Sequence, residues 1–261
     1  MIPAGSPFCL ETNLNVMLLS AMAKLIILTG AGLSAESGLR TFRDANGLWE
    51  NHSIEDVCNG ATWRRNFELV HQFYNDRRTQ LAAAEPNAAH RMIARWQTLY
   101  DTILLTQNVD DLLERAGCRN VVHLHGFLPE LCCAQCDHVW SIGYSAWTKE
   151  IHCPECRSVH DVRPHIVFFG EHAPLYRAMW SAFQSLTPRD VVVIMGTSGV
   201  VLPVGDMALH FPGFKILNNL APESAIDDRL FDKVFHMPAT KAAEKIDAIL
   251  CERLGGKGLN L

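Results

Sequence analysis

With 261 residues, 48% of them hydrophobic and 20% charged, the chain has an ordinary globular composition and is sized for one large domain carrying a smaller inserted module. A net charge of −5 without a basic cluster argues against a nucleic-acid binder, and no run of about eighteen apolar residues offers a membrane span. The first residues lack a basic segment and a small-residue cleavage site, so the expectation is a cytoplasmic protein with no membrane and no nucleic-acid partner.

In chain order, short apolar runs at 24–29, 102–106, 191–195 and 214–218 each end in a polar or turn cluster and read as buried parallel strands. Helical periodicity covers 66–84, 88–100, 109–116, 176–186 and, beyond a last strand near 233–236, residues 240–254. This alternation predicts an α/β fold, a Rossmann-like doubly wound parallel sheet whose ligands lie at the carboxyl ends of the strands. Two stretches interrupt it. Residues 43–100 are mostly helical, and 131–164 carry cysteines with little periodicity. The expected division is a dinucleotide-binding domain made of 24–42, 101–126 and 165–254, a helical insertion at 43–100, and a four-cysteine zinc module at 127–164. The segment before Lys24 receives no role.

Directly after the first strand, Gly30-Ala31-Gly32-Leu33-Ser34-Ala35 forms a G-x-G-x-x-A loop expected to open a helix. Gly30 permits the tight turn, Gly32 lets backbone approach a pyrophosphate, and a helix amino terminus presents free N–H groups to the phosphates. An ordinary strand-to-helix turn also favours glycine. A dehydrogenase follows such a loop with a second strand ending in an acidic residue; here residues 38–49 are a polar loop without a predicted strand, and Glu50 has the spacing but not the context. Hydride transfer is therefore disfavoured.

Nine cysteines in a chain without an export signal point to metal or thiol chemistry. Cys133-x2-Cys136 and Cys153-x2-Cys156, sixteen residues apart, have the spacing of two knuckles around one structural Zn2+, with a redox switch as the alternative. Cys132 competes with Cys133 as a ligand. Cys9, Cys58, Cys118, Cys132 and Cys251 otherwise read as small buried hydrophobes.

GAGLSAESGLRTFRDANGLW at 30–49, TQNVD at 106–110, HLHG at 123–126, FFGE at 168–171 and GTS at 196–198 follow one another in an order that resembles the signature motifs of sirtuins, from about Lys24 to Leu250. GLRTFR, where many members carry Pro-Asp before Phe-Arg, resembles the bacterial-type subgroup that acts on acetyl- and succinyl-lysine. The resemblance implies an NAD-dependent protein lysine deacylase that consumes NAD as co-substrate, with acylated protein lysines as its partners. The acyl oxygen attacks C1′ of the nicotinamide ribose and expels nicotinamide. The resulting O-alkylimidate is resolved to free lysine and 2′-O-acyl-ADP-ribose.

His125, immediately before glycine, is by resemblance the general base that activates a ribose hydroxyl, a task suited to a side chain with an unperturbed pKa of about 6.5. His123 is left as scaffold. Gln107 and Asn108, by the same resemblance, contact the ribose and attacking water, and Asp110 holds the carboxamide; read alone, this loop is also a common helix cap. Further cofactor contacts implied are Gly30, Ala31, Gly32, Ser34, Ala35, Phe42, Arg43, Trp49, Val109, Gly196, Thr197, Ser198, Asn219, Leu220 and Ala239. Ala221 departs from the acidic residue of relatives.

Cys133 matches the family spacing from His125 better than Cys132. Tyr74 and Arg77 share a helix face, and Tyr74-Asn75-Asp76-Arg77 matches the pair with which acidic-acyl sirtuins grip a distal carboxylate; Arg78 is the competing candidate. Phe169, Gly170 and Glu171 resemble the segment that pairs with substrate peptide, with Val167 and Val201 as apolar walls. A mono-ADP-ribosyltransferase and a non-catalytic NAD or ADP-ribose sensor are the alternatives.

Overall fold

The computed structural model describes residues 23–40, 48–49 and 52–255. Cys9, Phe42 and Arg43 lie outside the described residues, and of Trp49 only its place in a short strand is described. The strands are β1 (Lys24–Thr29), β2 (Leu48–Trp49), β3 (His52–Ser53), β4 (Asp101–Thr106), β5 (Val122–His123), β6 (Gly126–Cys133), β7 (Val139–Ser141), β8 (Val162–Ile166), β9 (Val191–Met195), β10 (Phe214–Asn219) and β11 (Lys233–His236). The helices are α1 (Ile54–Val57), α2 (Phe67–Ala83), α3 (Ala88–Leu99), α4 (Leu112–Arg115), α5 (Tyr176–Gln184), α6 (Val204–Ala208) and α7 (Ala239–Leu254).

Six strands form a parallel sheet in the order β11-β10-β9-β1-β4-β5. The chain winds outward from β1 through β4 to β5, then returns to β9 and winds the other way. The switch point therefore lies between β1 and β9, where Leu25 pairs with Val191 and Thr29 with Met195. Alternate residues of these strands enter two cores. Leu25, Ile27, Val191 and Val193 pack with Trp96 of α3 and Ile246 of α7; Ile26, Leu28, Val192 and Ile194 pack with Phe183 of α5 and Met207 of α6. Burial on both faces is why these strands are uninterrupted apolar runs.

Three expectations need correction. The glycine loop opens no α-helix: two 310 turns, Ala31–Leu33 and Ala35–Ser37, end at Gly38, whose φ of 85° is left-handed. The helix expected over 109–116 shrinks to α4, because Asp110 commits its carboxylate to the N–H of Leu112 (3.2 Å) and holds the preceding residues in a loop. The 131–164 segment is not irregular throughout, since β6 pairs antiparallel with β7 and β8, and β2 pairs with β3 in a small hairpin apart from the main sheet.

The cysteine module docks on α2. Asn75 donates to the Trp147 carbonyl (3.0 Å) and accepts from its N–H (2.8 Å), His71 stacks on the Trp147 ring at 3.6 Å, and the His71 Nε2 lies 2.9 Å from the Val162 carbonyl. Burial holds the His71 pKa down at about 4, so this ring docks as a neutral group.

Candidate active site

The carboxyl ends of β1, β4, β9 and β10 open into one cleft of about 1000 Å³. Its floor is backbone against backbone. Gly30 N–H donates to the Met195 carbonyl and Gly32 N–H to that of Gly196, both at 2.9 Å. A Cβ on Gly32 would sit 2.7 Å from the Gly196 Cα, and one on Gly196 would sit 2.4 Å from the Leu33 nitrogen. Loop-to-loop contact inside the protein thus demands these glycines before any ligand arrives. Gly196→Ala is expected to cost about 2 kcal/mol or more, because φ is +68° there and the methyl meets backbone; a shift in denaturation midpoint measures it.

Every described cofactor candidate whose side chain is defined borders this cleft: Gly30, Ala31, Gly32, Ser34, Ala35, Gln107, Asn108, Val109, Asp110, Gly196, Thr197, Ser198, Asn219, Leu220 and Ala239. Their polar groups form short networks. Asn108 donates its amide to the Ser34 hydroxyl (3.0 Å), which donates to Asp110 Oδ2 (2.9 Å), while Gln107 donates to Thr197 Oγ1 (2.9 Å) and so ties β4 to β9. Burial raises the Asp110 pKa, and the bonds from Ser34 and Leu112 pull against that rise. Asn219 is 4% exposed, and its Nδ2 lacks a partner among the described residues.

The two histidines of HLHG sit in different settings. The Nδ1 of His123 faces the Asn108 carbonyl (2.9 Å) and its Nε2 faces Glu114 Oε1 (2.7 Å), so both nitrogens meet acceptors, an arrangement that favours the protonated ring. Burial opposes that charge most strongly, but Glu114, the Asn108 carbonyl and Asp110 together outweigh it and raise the pKa. His125 is different. Its Nδ1 lies 3.1 Å from the Gln107 carbonyl, an acceptor only, so Nδ1 carries the proton and Nε2 keeps a lone pair. Burial lowers its pKa, which favours this neutral ring. The Tyr176 hydroxyl, 2.8 Å from Nε2, is the donor that fills it.

Arg77, Val167, Val201, Phe169, Gly170 and Glu171 also line the cleft. Tyr74 does not: it is fully buried behind the wall, stacked on Phe168 at 5.9 Å. Arg78 points away from the cleft and donates to the Leu128 carbonyl (3.0 Å) and Asn75 (3.1 Å), leaving Arg77 as the cleft's arginine on α2. The peptide-pairing segment is more committed than expected. Phe169 donates its N–H to the Cys58 carbonyl and accepts with its own carbonyl from the Gly60 N–H, both at 2.9 Å, and Glu171 is held by Arg163. Arg163 in turn lies 3.9 Å over the Phe168 ring, so this pair braces the segment from behind.

Four cysteine sulfurs, those of Cys133, Cys136, Cys153 and Cys156, lie within 4.8 Å of one another. The Cys133–Cys156 and Cys136–Cys153 separations are both 3.5 Å, too long for disulfides and close to the edges of a tetrahedron with zinc–sulfur bonds of about 2.3 Å. Both knuckles turn alike: Asp137 N–H returns to the Cys133 carbonyl and Arg157 N–H to that of Cys153, with left-handed φ at Asp137 (59°) and Arg157 (66°). The set fits one structural zinc. Strand alternation turns Cys132 the other way, where its thiol meets the Pro164 carbonyl at 3.7 Å. Cys58 and Cys118 are buried as expected, although Cys58 also borders the cleft.

Sequence reading missed Tyr176, Glu36, Arg40, His172 and Glu223 among the cleft residues. Tyr176 meets His125 across 51 positions, and no local pattern announces that pairing. Glu223 stands two positions after Ala221, the site where the acidic residue of relatives is absent. Glu36 caps the start of α7 by accepting from the Thr240 N–H (3.0 Å) and hydroxyl (2.8 Å).

Comparison with known proteins agrees with this geometry. The model of the Sir2 family matches residues 30–203. An NAD-dependent protein deacylase of Helicobacter hepaticus is 43% identical over 248 residues, covering 87% of this chain and 96% of the relative. The NAD-dependent protein deacylase SIR2rp3 of Trypanosoma brucei brucei is 40% identical over 242 residues, covering 90% and 96%. Among solved structures, a Sir2 homologue in complex with NAD superposes with a TM-score of 0.76 at 33% identity, covering 93% of this chain and 94% of the other. Sir2Tm bound to a propionylated peptide gives 0.70 at 26% identity, covering 94% and 99%. With more than half its length matched by the family model, and a near-full-length relative above 40% identity, the chain belongs to the Sir2 family.

Proposed function

We propose that the protein removes acyl groups from protein lysines with consumption of NAD, yielding nicotinamide and 2′-O-acyl-ADP-ribose. The observation that carries this reading is a half-buried His125, its proton held on Nδ1 by the Gln107 carbonyl, with its basic nitrogen in a dinucleotide-sized cleft at the sheet's switch point. The names of the relatives support it, and weigh against a mono-ADP-ribosyltransferase or a non-catalytic sensor. Asn219, buried with an unpartnered amide nitrogen beside the cleft, suits a polar ligand that completes its hydrogen bonding.

In this reading the main chain around Gly30–Ala35 and Gly196–Ser198 holds the phosphates, Asp110 holds the carboxamide, and Asn108, fixed through Ser34, orients water and ribose. His125 accepts the ribose proton on Nε2 while Gln107 keeps its Nδ1–H in register. The division into a dinucleotide domain at 24–42, 101–126 and 165–254, a helical insertion at 43–100 and a zinc module at 127–164 suits these roles, since the glycine loop, TQNVD, HLHG and GTS follow strands β1, β4, β5 and β9 of the parallel sheet. Incubation with NAD and acetyl- or succinyl-lysine peptides, followed by mass analysis, tests the reading; peptides left acylated while ADP-ribose binds would sink it.

Acidic acyl groups are proposed as substrates beside acetyl. Arg77 is 8% exposed and shares the cleft wall with Leu81, one turn along α2, so a carboxylate reaching it exchanges water for a largely desolvated guanidinium. Arg77→Met is expected to lower kcat/KM for succinyl-lysine about ten- to a hundred-fold and that for acetyl-lysine no more than a few-fold. Equal losses on both peptides would remove the carboxylate role. Gly170 and Val167 are proposed to meet the peptide, Phe169 contributing its ring rather than its paired backbone.

A further inference from the structure

The Nε2 of His125 has one lone pair, and in this structure it is taken. The Gln107 carbonyl fixes the proton on Nδ1, so the Tyr176 hydroxyl at 2.8 Å must donate, and no second donor can share the nitrogen. Resting on the deacylase reading, a ribose hydroxyl delivering its proton to His125 needs the place where the Tyr176 oxygen now sits. Tyr176 is suited to leave it. It is the first residue of α5, half-buried at the rim of the cleft, and its ring meets that of His125 only obliquely, at 5.8 Å and 47°. No other hydrogen bond of its hydroxyl is described, so a shift of the hydroxyl breaks no other polar contact, although the ring also packs against the core around Phe183.

We propose that Tyr176 is a positioning residue that caps the catalytic nitrogen of His125 and is displaced by the ribose hydroxyl. The cap has two consequences of opposite benefit. It holds the imidazole at both nitrogens, with the working lone pair aimed into the cleft. It also competes with the ligand, because a protein–protein hydrogen bond has to be exchanged for a protein–ligand one. By donating to the neutral ring, the phenol further disfavours its protonation.

The test compares the zinc-loaded protein with Tyr176→Phe, which keeps the ring and removes the donor. ADP-ribose is expected to bind the variant about two- to ten-fold more tightly, and the His125 pKa, followed by the NMR titration of its ring proton, to rise by about half a unit to one unit. Arg77, Asp110, Glu171 and His172, titratable groups that line the same cleft, are unchanged by this substitution, so the rise reports the lost donor. Repeating the binding measurement on a His125→Ala background separates hydrogen bonding from shape: the gain is expected to vanish there. A gain that persists without His125, an unmoved pKa, or weaker binding by Tyr176→Phe would each overturn the cap. Turnover of acetyl-lysine peptide by the unaltered protein is recorded in parallel. If it proceeds while the cap fails, the deacylase reading stands; if the unaltered protein neither binds ADP-ribose nor deacylates, both fall.

Discussion

His125→Ala is expected to lower kcat/KM for deacylation by about 10²- to 10⁴-fold, the span of a lost general base. The fold should survive. The imidazole makes two hydrogen bonds, to Gln107 and Tyr176, and neither belongs to the sheet ladder or to a helix. ADP-ribose affinity, measured by calorimetry, is expected to stay within about ten-fold, because loops 30–35 and 196–198, proposed to face the phosphates, pair with each other and not with residue 125. The pH profile of the unaltered protein carries the complementary sign. Burial lowers the His125 pKa below its ordinary 6.5, so activity is expected to hold through neutral pH and to fall only as the medium turns acid past that lowered value. An acid limb at or above 6.5, or a His125→Ala variant within about ten-fold of the parent, would exclude this ring as the base.

Removing the metal is expected to have the second-largest effect, and on stability first. The module's own apolar cluster is small, with Leu131, Cys133, Trp147, Cys153 and Val162 its buried members. Two of those five are themselves thiol ligands, so the segment depends on metal–sulfur bonds for its order. Cys153→Ser is expected to abolish zinc content and to lower Tm by about 10 °C, a loss of several kcal/mol for a domain of this size. Cys132→Ser, facing the Pro164 carbonyl, is expected to retain zinc. Metal analysis and thermal melts decide both. Equal zinc content in the two variants would break the proposed ligand set. Because Trp147 is clamped by Asn75 and His71 of α2, the Cys153 variant should also blunt desuccinylation through the helix that carries Arg77.

The strands β1 and β9 were legible residue for residue, since burial on both faces leaves an unbroken apolar signal at 24–29 and 191–195. The module's strands were not. β6 to β8 hold polar and charged residues such as Glu130, Arg163 and His165, so their inward and outward positions do not read as a clean apolar–polar alternation in the sequence. The glycine loop was recognised for its position but given the wrong continuation, because 310 turns closed by Gly38 leave no periodicity to distinguish them from a helix start. Of the site, motif residues were visible because they sit at strand ends. Tyr176 was invisible because its partner lies on another element, and helical spacing alone did not show that Tyr74 lies fully buried beneath the cleft wall.

The contact of Gly30 and Gly32 with Gly196 joins parts of the chain more than 160 positions apart. A ribosome that has delivered only the first two-thirds of the polypeptide has therefore made half of the nucleotide seat and none of its function. Affinity for the dinucleotide is born late, when β9 slides in beside β1, and from then on every bound molecule favours the completed topology by mass action.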